Sequence, residues 1–316
     1  MTLKQMGILW TLALVWGASF LFIKLGVATI PPVTFVTFRL AIAAGLIYAV
    51  MRWQGLRMPA DRKLWRALVF VGFINAALPY TLFAWGEQQM GANASGLASI
   101  YNATTPLWTV AFAQLFVREE RLTPLRTLGV VIGFSGVVYL FAGALGAIGT
   151  TDTLGQLTCF LAASCYGVGT LYVRRVFKGL PALVPAFGQM FAGAILLAPL
   201  ALIVDHNAWQ VPSASSLVGL LGLAVLGTGI AQILYFSLVK QVGATRTSQV
   251  TYLLPLFALF WGWLFLDEPL RPDMLIGLAI VLVGVVAVNG KWPVRAAKTD
   301  QPADPTLPAP GAPGRR

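Results

Sequence analysis

Apolar positions along this chain neither alternate nor keep to one helical stripe; they come in nearly uncharged runs of about 20 residues separated by short polar stretches. A helix crossing the ~30 Å hydrocarbon layer of a membrane needs about 20 mostly apolar residues. Ten runs meet that length, at approximately residues 7–28, 32–51, 64–86, 94–117, 123–142, 154–174, 183–204, 215–239, 244–266 and 272–290. The pattern predicts an all-α membrane protein with ten transmembrane helices. The connections are short and leave no room for an extramembrane domain. Residues 7–28 read as a first span rather than a cleaved signal, whose apolar region is only about 7–15 residues and ends in a small-residue cleavage site. From Lys291 onward Pro302, Pro305, Pro308, Pro310 and Pro313 alternate with alanine and polar residues, which predicts a disordered tail over 291–316.

Composition agrees: 58% of residues are hydrophobic and 10% charged, against roughly 25% charged in a soluble domain. The net charge of +11 raises nucleic-acid binding as a reading, with cytoplasmic loops marked by basic residues as its rival. Counting favours the loops. With the N-terminus inside, 19 of the 22 basic residues fall in cytoplasmic segments or adjoining helix ends, Arg271 alone lies outside, and Lys24 and Arg39 lie within spans. Both termini are therefore expected in the cytoplasm, with the chain in the plasma (inner) membrane and no nucleic-acid partner. Cys159 and Cys165 share the sixth run, about 9 Å apart by helical rise, too far to bond, and read as packing residues. His206 is the one histidine, so no metal site is expected.

The two halves of the chain resemble each other. At an offset of 150, Trp16-Gly17-Ala18-Ser19-Phe20-Leu21-Phe22-Ile23-Lys24 lies over Tyr166-Gly167-Val168-Gly169-Thr170-Leu171-Tyr172-Val173-Arg174, and Arg39 faces Gln189. At 152, Gln89-Met90-Gly91-Ala92 lies over Gln241-Val242-Gly243-Ala244. At 148, Glu120-Arg121-Leu122 lies over Glu268-Pro269-Leu270, Pro124 over Pro272, Gly129 over Gly277 and Gly136-Val137-Val138 over Gly284-Val285-Val286. Five spans per repeat is an odd number, so the second repeat enters the membrane from the opposite side. Inverted repeats of this kind place a solute site near the bilayer midplane, between the halves.

Trp16-Gly17-Ala18-Ser19-Phe20 with Lys24, Pro31 and Pro32 with Arg39, and Gly91-Ala92 leading to Pro106 and Glu120-Arg121-Leu122 form an ordered set. The second half repeats it as Gly243-Ala244, Pro255 and Asp267-Glu268-Pro269-Leu270. Over about residues 7–290 this set resembles the drug/metabolite transporter superfamily, specifically its EamA-type ten-helix exporters. The resemblance implies a first EamA-like repeat over 1–150 and a second over 151–290. It also implies export of amino acids or related metabolites through a central cavity lined largely by helices 1, 3, 4, 6, 8 and 9, without pointing to one substrate.

An intramembrane charge is costly unless it pairs, snorkels or meets water. Trp16, Phe20 and Lys24 recur every four residues on one face; Lys24 either snorkels to the outer interface or attracts an anionic solute group. Arg39 lies some 10 Å inside helix 2 and either ties the repeats together or touches solute. Ser99, Asn102, Pro106 and Thr109 share a face by spacing, as do Thr228, Gln232 and Tyr235, while Asn75, Tyr80, Tyr166 and Tyr252 add hydrogen-bonding groups at similar depths. They read as a polar, aromatic-lined cavity or as interhelical bonds. Pro106 and Pro255 are candidate kinks and gates in helices 4 and 9. Gly129 and Gly133 form a small-residue face for helix packing, with homodimerisation as the alternative. All eleven acidic residues fall in loops, the tail or helix ends. Glu87 reads as a solvated helix end, no embedded carboxylate offers a proton relay, and the coupling mode stays open. The spans hold no acid pair and no histidine, which argues against an enzyme and against a cofactor. A lipid flippase or scramblase, and a sugar-phosphate or nucleotide-sugar exchanger, are the alternative transport readings.

Overall fold

A computed structural model describes residues 1–91, 93–116, 123–143 and 151–289. The proposed tail over 291–316, the Glu120-Arg121-Leu122 motif, Ala92 and Arg118 lie outside the described residues. Among the described residues every regular element is helical: α1 (Leu3–Gly26), α2 (Pro32–Trp53), α3 (Arg62–Gln89), α4 (Ala94–Asn102), α5 (Thr105–Phe116), α6 (Pro124–Gly143), α7 (Thr151–Val176), α8 (Leu183–Val204), α9 (Ala214–Gly222 running on through Leu223–Ile230 and Ala231–Val242), α10 (Ala244–Thr247), α11 (Val250–Leu266) and α12 (Pro272–Asn289). Among the described residues eight helices are long and apolar enough to cross a membrane, and α11, at 17 residues, is a shorter apolar helix.

Local chemistry explains where helices start and where they change. Thr2 and Gln5 close a reciprocal capping box at the start of α1. Pro32 opens α2, where its missing N–H is harmless. Pro79 has no N–H to give the carbonyl of Asn75, and α3 widens into a π turn over Phe73–Ala77 just before it. α9 widens at the equivalent place, over Leu223–Ile230, without a proline.

The two prolines act differently from each other. The expected single span over 94–117 is broken: α4 ends at Asn102 and Pro106 stands in the first turn of α5. Pro106 withdraws the donor that the Asn102 carbonyl would otherwise receive, and the hydroxyl of Thr105 supplies one instead at 2.8 Å. Pro106 thus marks a helix start rather than a kink. The 244–266 span is also interrupted, at Ser248 and Gln249, whereas Pro255 sits buried inside α11.

Helix partners exchange between the halves. α1 packs on α11 and on the first part of α9; α7, its repeat counterpart, packs on α5 and on the second part of α3. α2 packs on α8, and α6 on α12. Gly17 and Gly167 make the first exchange possible. A Cβ at Gly17 would lie 2.5 Å from the Cβ of Phe257, and one at Gly167 would lie 2.8 Å from the Cβ of Trp108. The small-residue face of α6 is likewise used within the chain, because Gly129 and Gly133 receive α12 at Gly284.

Candidate functional site

A cavity of about 1700 Å³ lies between the halves. Its walls include Trp16 of α1, Asn75 of α3, Thr105, Pro106 and Thr109 of α5, Gln189 of α8, Gln232 and Tyr235 of α9, and Tyr252 of α11. The lining also takes in Arg126 at the start of α6, Arg174 at the end of α7, Lys178 beyond it, and Asn289 at the end of α12. These helix ends share one end of the bundle, so the cavity opens there, and three of the described rim residues are cations. Among the described lining residues there is no carboxylate.

Each wall group is held by a specific contact. Trp16 donates its indole N–H to the carbonyl of Gly227 at 3.1 Å and packs its ring 5.4 Å from that of Tyr235. The acceptor lies in the widened turn of α9, where the helical bonding pattern is loosened. Asn75, in the widened turn of α3, donates to the side-chain oxygen of Gln189 at 3.0 Å. Asn289 donates to the hydroxyl of Tyr252 at 2.8 Å.

Outside the cavity lining, aromatic rings pack into a layer: Phe20 against Phe83 at 5.8 Å, Phe83 against Tyr166 at 6.0 Å, and Tyr80 against Tyr166 at 6.2 Å. Arg39 is buried behind them. Its Nε donates to the hydroxyl of Thr228 at 2.9 Å, and its Cζ sits 3.7 Å above the ring of Tyr80.

The far end is sealed by charge-assisted hydrogen bonds, most of which cross between the halves. Glu268 accepts from the Ser95 and Gly96 N–H groups at 3.0 and 3.2 Å and from the Ser95 hydroxyl at 2.6 Å, at the positive N-terminus of α4. Asp205 accepts from the Thr34 N–H and hydroxyl at 2.7 and 2.8 Å. Asp152 accepts from the Gly91 N–H at 3.1 Å. Lys24 donates to the main-chain oxygens of Glu87, Met90 and Gly91 at 2.9, 2.6 and 3.3 Å, closing the C-terminus of α3.

The residues singled out by sequence therefore separate into layers. Trp16, Asn75, Pro106, Gln232, Tyr235 and Tyr252 line the cavity. Phe20, Arg39, Tyr80 and Tyr166 form the closed layer behind it, and Lys24 belongs to the far seal. Asn102 ends α4, bonded to the wall residue Thr105, and Pro255 is buried in α11; neither is itself a lining residue. Two expectations need correction. The stripe from Ser99 to Thr109 is split by the break after Asn102, and Ser99 is buried with its hydroxyl on the Gly96 carbonyl. Glu87 is not solvated: it is fully buried, and neither carboxylate oxygen has a hydrogen-bond partner among the described residues. Gln189 was absent from the expected site residues, although its alignment with Arg39 was a signal that pointed to it.

The profile of the EamA-like transporter family matches twice, over residues 5–142 and 153–290. The chain belongs to the EamA-like transporter family. Two family-length relatives are similar along nearly the whole chain. "Uncharacterized transporter YoaV" of Bacillus subtilis is 24% identical over 87% of this chain and 93% of its own length. "Uncharacterized inner membrane transporter YedA" of Escherichia coli K12 is 26% identical over 92% of each. A solved crystal structure shares the fold, with a TM-score of 0.63 at 20% identity over 91% of this chain and 96% of that one. This EamA-like chain is accordingly a multi-pass membrane transporter.

Proposed function

We propose that this chain is a secondary-type transporter of the plasma (inner) membrane that exports amino acids or related small metabolites by alternating access. The observation that carries the reading is the cavity between the halves, open at one end and closed at the other by an aromatic layer and a ring of hydrogen bonds. Ten spans follow if the broken pair α4–α5 counts as the fourth and α10–α11 as the ninth. The exchange of helix partners between halves supports two inverted five-helix repeats. Both termini are assigned to the cytoplasm because the basic residues gather on that side, and the cationic rim then makes this the inward-open conformation.

The lining favours a solute with both polar and apolar parts. Asn75, Gln189, Gln232 and Thr109 offer donors and acceptors, while Trp16, Tyr235 and Tyr252 offer ring faces. The test is a screen of the twenty amino acids and simple organic acids in proteoliposomes under imposed solute and pH gradients. Accumulation or exchange above empty liposomes supports transport, and its dependence on the gradients assigns the coupling. If lipid moves between leaflets and no soluble compound moves, the flippase reading replaces this one.

A further inference from the structure

Two hydrogen bonds between the halves are counterparts of each other. Gln189 of α8 accepts from Asn75 in the widened turn of α3, and Arg39 of α2 donates to Thr228 in the widened turn of α9. Arg39 and Gln189 face each other in the repeat alignment. The two pairs differ in place and in charge. Asn75 and Gln189 line the open cavity, whereas Arg39 is 6% exposed and Thr228 1% exposed, in the closed layer.

Arg39 is also incompletely satisfied. A guanidinium carries five N–H donors and no acceptor. Among the described residues its single hydrogen bond is the one from Nε to Thr228, and the one ion pair, Arg271 with Asp273, lies elsewhere. Tyr80 covers one face of the guanidinium, and its edge, the side suited to a two-point grip on a carboxylate, has no carboxylate within ion-pair distance among the described residues; the buried Glu87 acts on it only from beyond contact. A cation kept at this depth without a carboxylate in contact is a costly arrangement, and a purely structural tie to Thr228 would be made as well by a neutral donor.

We infer that Arg39 is a carboxylate-binding half-site that joins the solute path when the sealed end opens, and that the transported solutes therefore carry a carboxylate. The inference rests on the alternating-access reading: exchanging the conformations of the two halves brings Arg39 and Thr228 into the place that Gln189 and Asn75 occupy in this structure, with Tyr80 in that of Gln232. The path is then asymmetric. On the side now open the solute meets the neutral amide of Gln189; on the other side it meets the guanidinium, which holds a carboxylate more tightly.

The experiment uses the full chain purified in detergent, with Tm as readout and sodium propionate and sodium phenylacetate as probes. Each is compared with its carboxamide at matched ionic strength. Both carboxylates are expected to raise the Tm of the wild type more than their amides do. Arg39→Gln erases that difference, with apparent carboxylate affinity falling roughly tenfold or more. Arg39→Lys, which keeps the charge and loses the fork, retains part of it. Gln189→Arg enlarges it. Equal responses of the wild type to acid and amide overturn the assignment, as does a preference that survives in Arg39→Gln. Should Arg39→Gln fail to fold, Gln189→Arg decides, and an unchanged carboxylate response there overturns it. No transported solute is required for this measurement. Solute movement without a carboxylate preference would leave transport standing and remove Arg39 from the path.

Discussion

Lys24 donates to the main-chain oxygen of Glu87 at 2.9 Å, yet the carboxylate of Glu87 makes neither an ion pair nor a hydrogen bond among the described residues. The ammonium works as a helix cap, collecting the last carbonyls of α3, and makes no direct contact with the carboxylate beside it.

That arrangement predicts the consequence of Lys24→Met. Three carbonyl contacts disappear together, and carbonyls left without a donor in a largely buried place cost about 1–3 kcal/mol. The sealed end should loosen. Cys159 is a native reporter there: it is fully buried, and its Sγ lies against the backbone at Gly86. In a Cys165→Ala background, a membrane-impermeant maleimide is expected to leave Cys159 unmodified in the otherwise native chain and to label it when Lys24 is methionine. Equal protection in both chains would mean that Lys24 does not hold the seal.

Glu87 and Glu268 should respond to the same substitution to very different extents. Glu268→Gln weakens three hydrogen bonds to the start of α4, bonds of the charge-assisted kind worth roughly 1.5–3 kcal/mol each. Glu87→Gln keeps the shape of the side chain and has no protein donor to lose. Thermal denaturation in detergent should show a large fall in Tm for Glu268→Gln and little change for Glu87→Gln. A comparable fall in both would show that Glu87 has a partner after all.

Much of this architecture was legible in the sequence, because a membrane reduces the problem to run length and charge. The run over 183–204 coincides with α8, and most others differ from the observed helices by a few residues. Burial and backbone breaks were harder to read. Glu87 stands at the end of a run, where a charge ordinarily meets water, and only the packing of α3 against α7 buries it. Pro106 looked like a kink because sequence does not show that Thr105 would take over the freed carbonyl of Asn102 and let the helix end. The layering of the site was hidden for a related reason. Trp16 and Phe20 share a helical face, yet one reaches the cavity and the other is closed under Phe83, because the seal cuts across that face at a depth set by the conformation.

The α6–α12 contact offers a test of packing without any transport assay. A Cβ at Gly284 would collide with the backbone of Gly133, and neither helix can yield locally because Gly136 meets Val281 and Gly129 meets Ala287 along the same seam. Overpacking of this kind typically costs 1–3 kcal/mol. Gly284→Leu is expected to lower Tm or to abolish accumulation in the membrane. Since α12 already covers the Gly129 and Gly133 face, the same substitution should leave the mass measured by size-exclusion chromatography with light scattering unchanged for whatever protein remains folded. A change in oligomeric mass would return that face to dimerisation.

The Asn75–Gln189 bond lies on the cavity wall and joins the two halves, so it should contribute to holding this conformation as well as to solute contact. Contacting side chains in one network usually couple by 0.5–3 kcal/mol in a double-mutant cycle. Asn75→Ala and Gln189→Ala are expected to reduce transport singly, and the double variant to lose less than the product of the two effects, because the second truncation removes a group already without its partner. Arg39→Gln with Thr228→Val probes the counterpart pair in the closed layer. Its effect should differ in kind: loss of the Asn75 pair weakens the wall of the cavity seen here, while loss of the Arg39 pair loosens the layer that closes it. Rates of entry and exit measured separately in oriented vesicles distinguish these outcomes. Identical changes in both rates for both pairs would show that the two bonds serve only to hold the halves together.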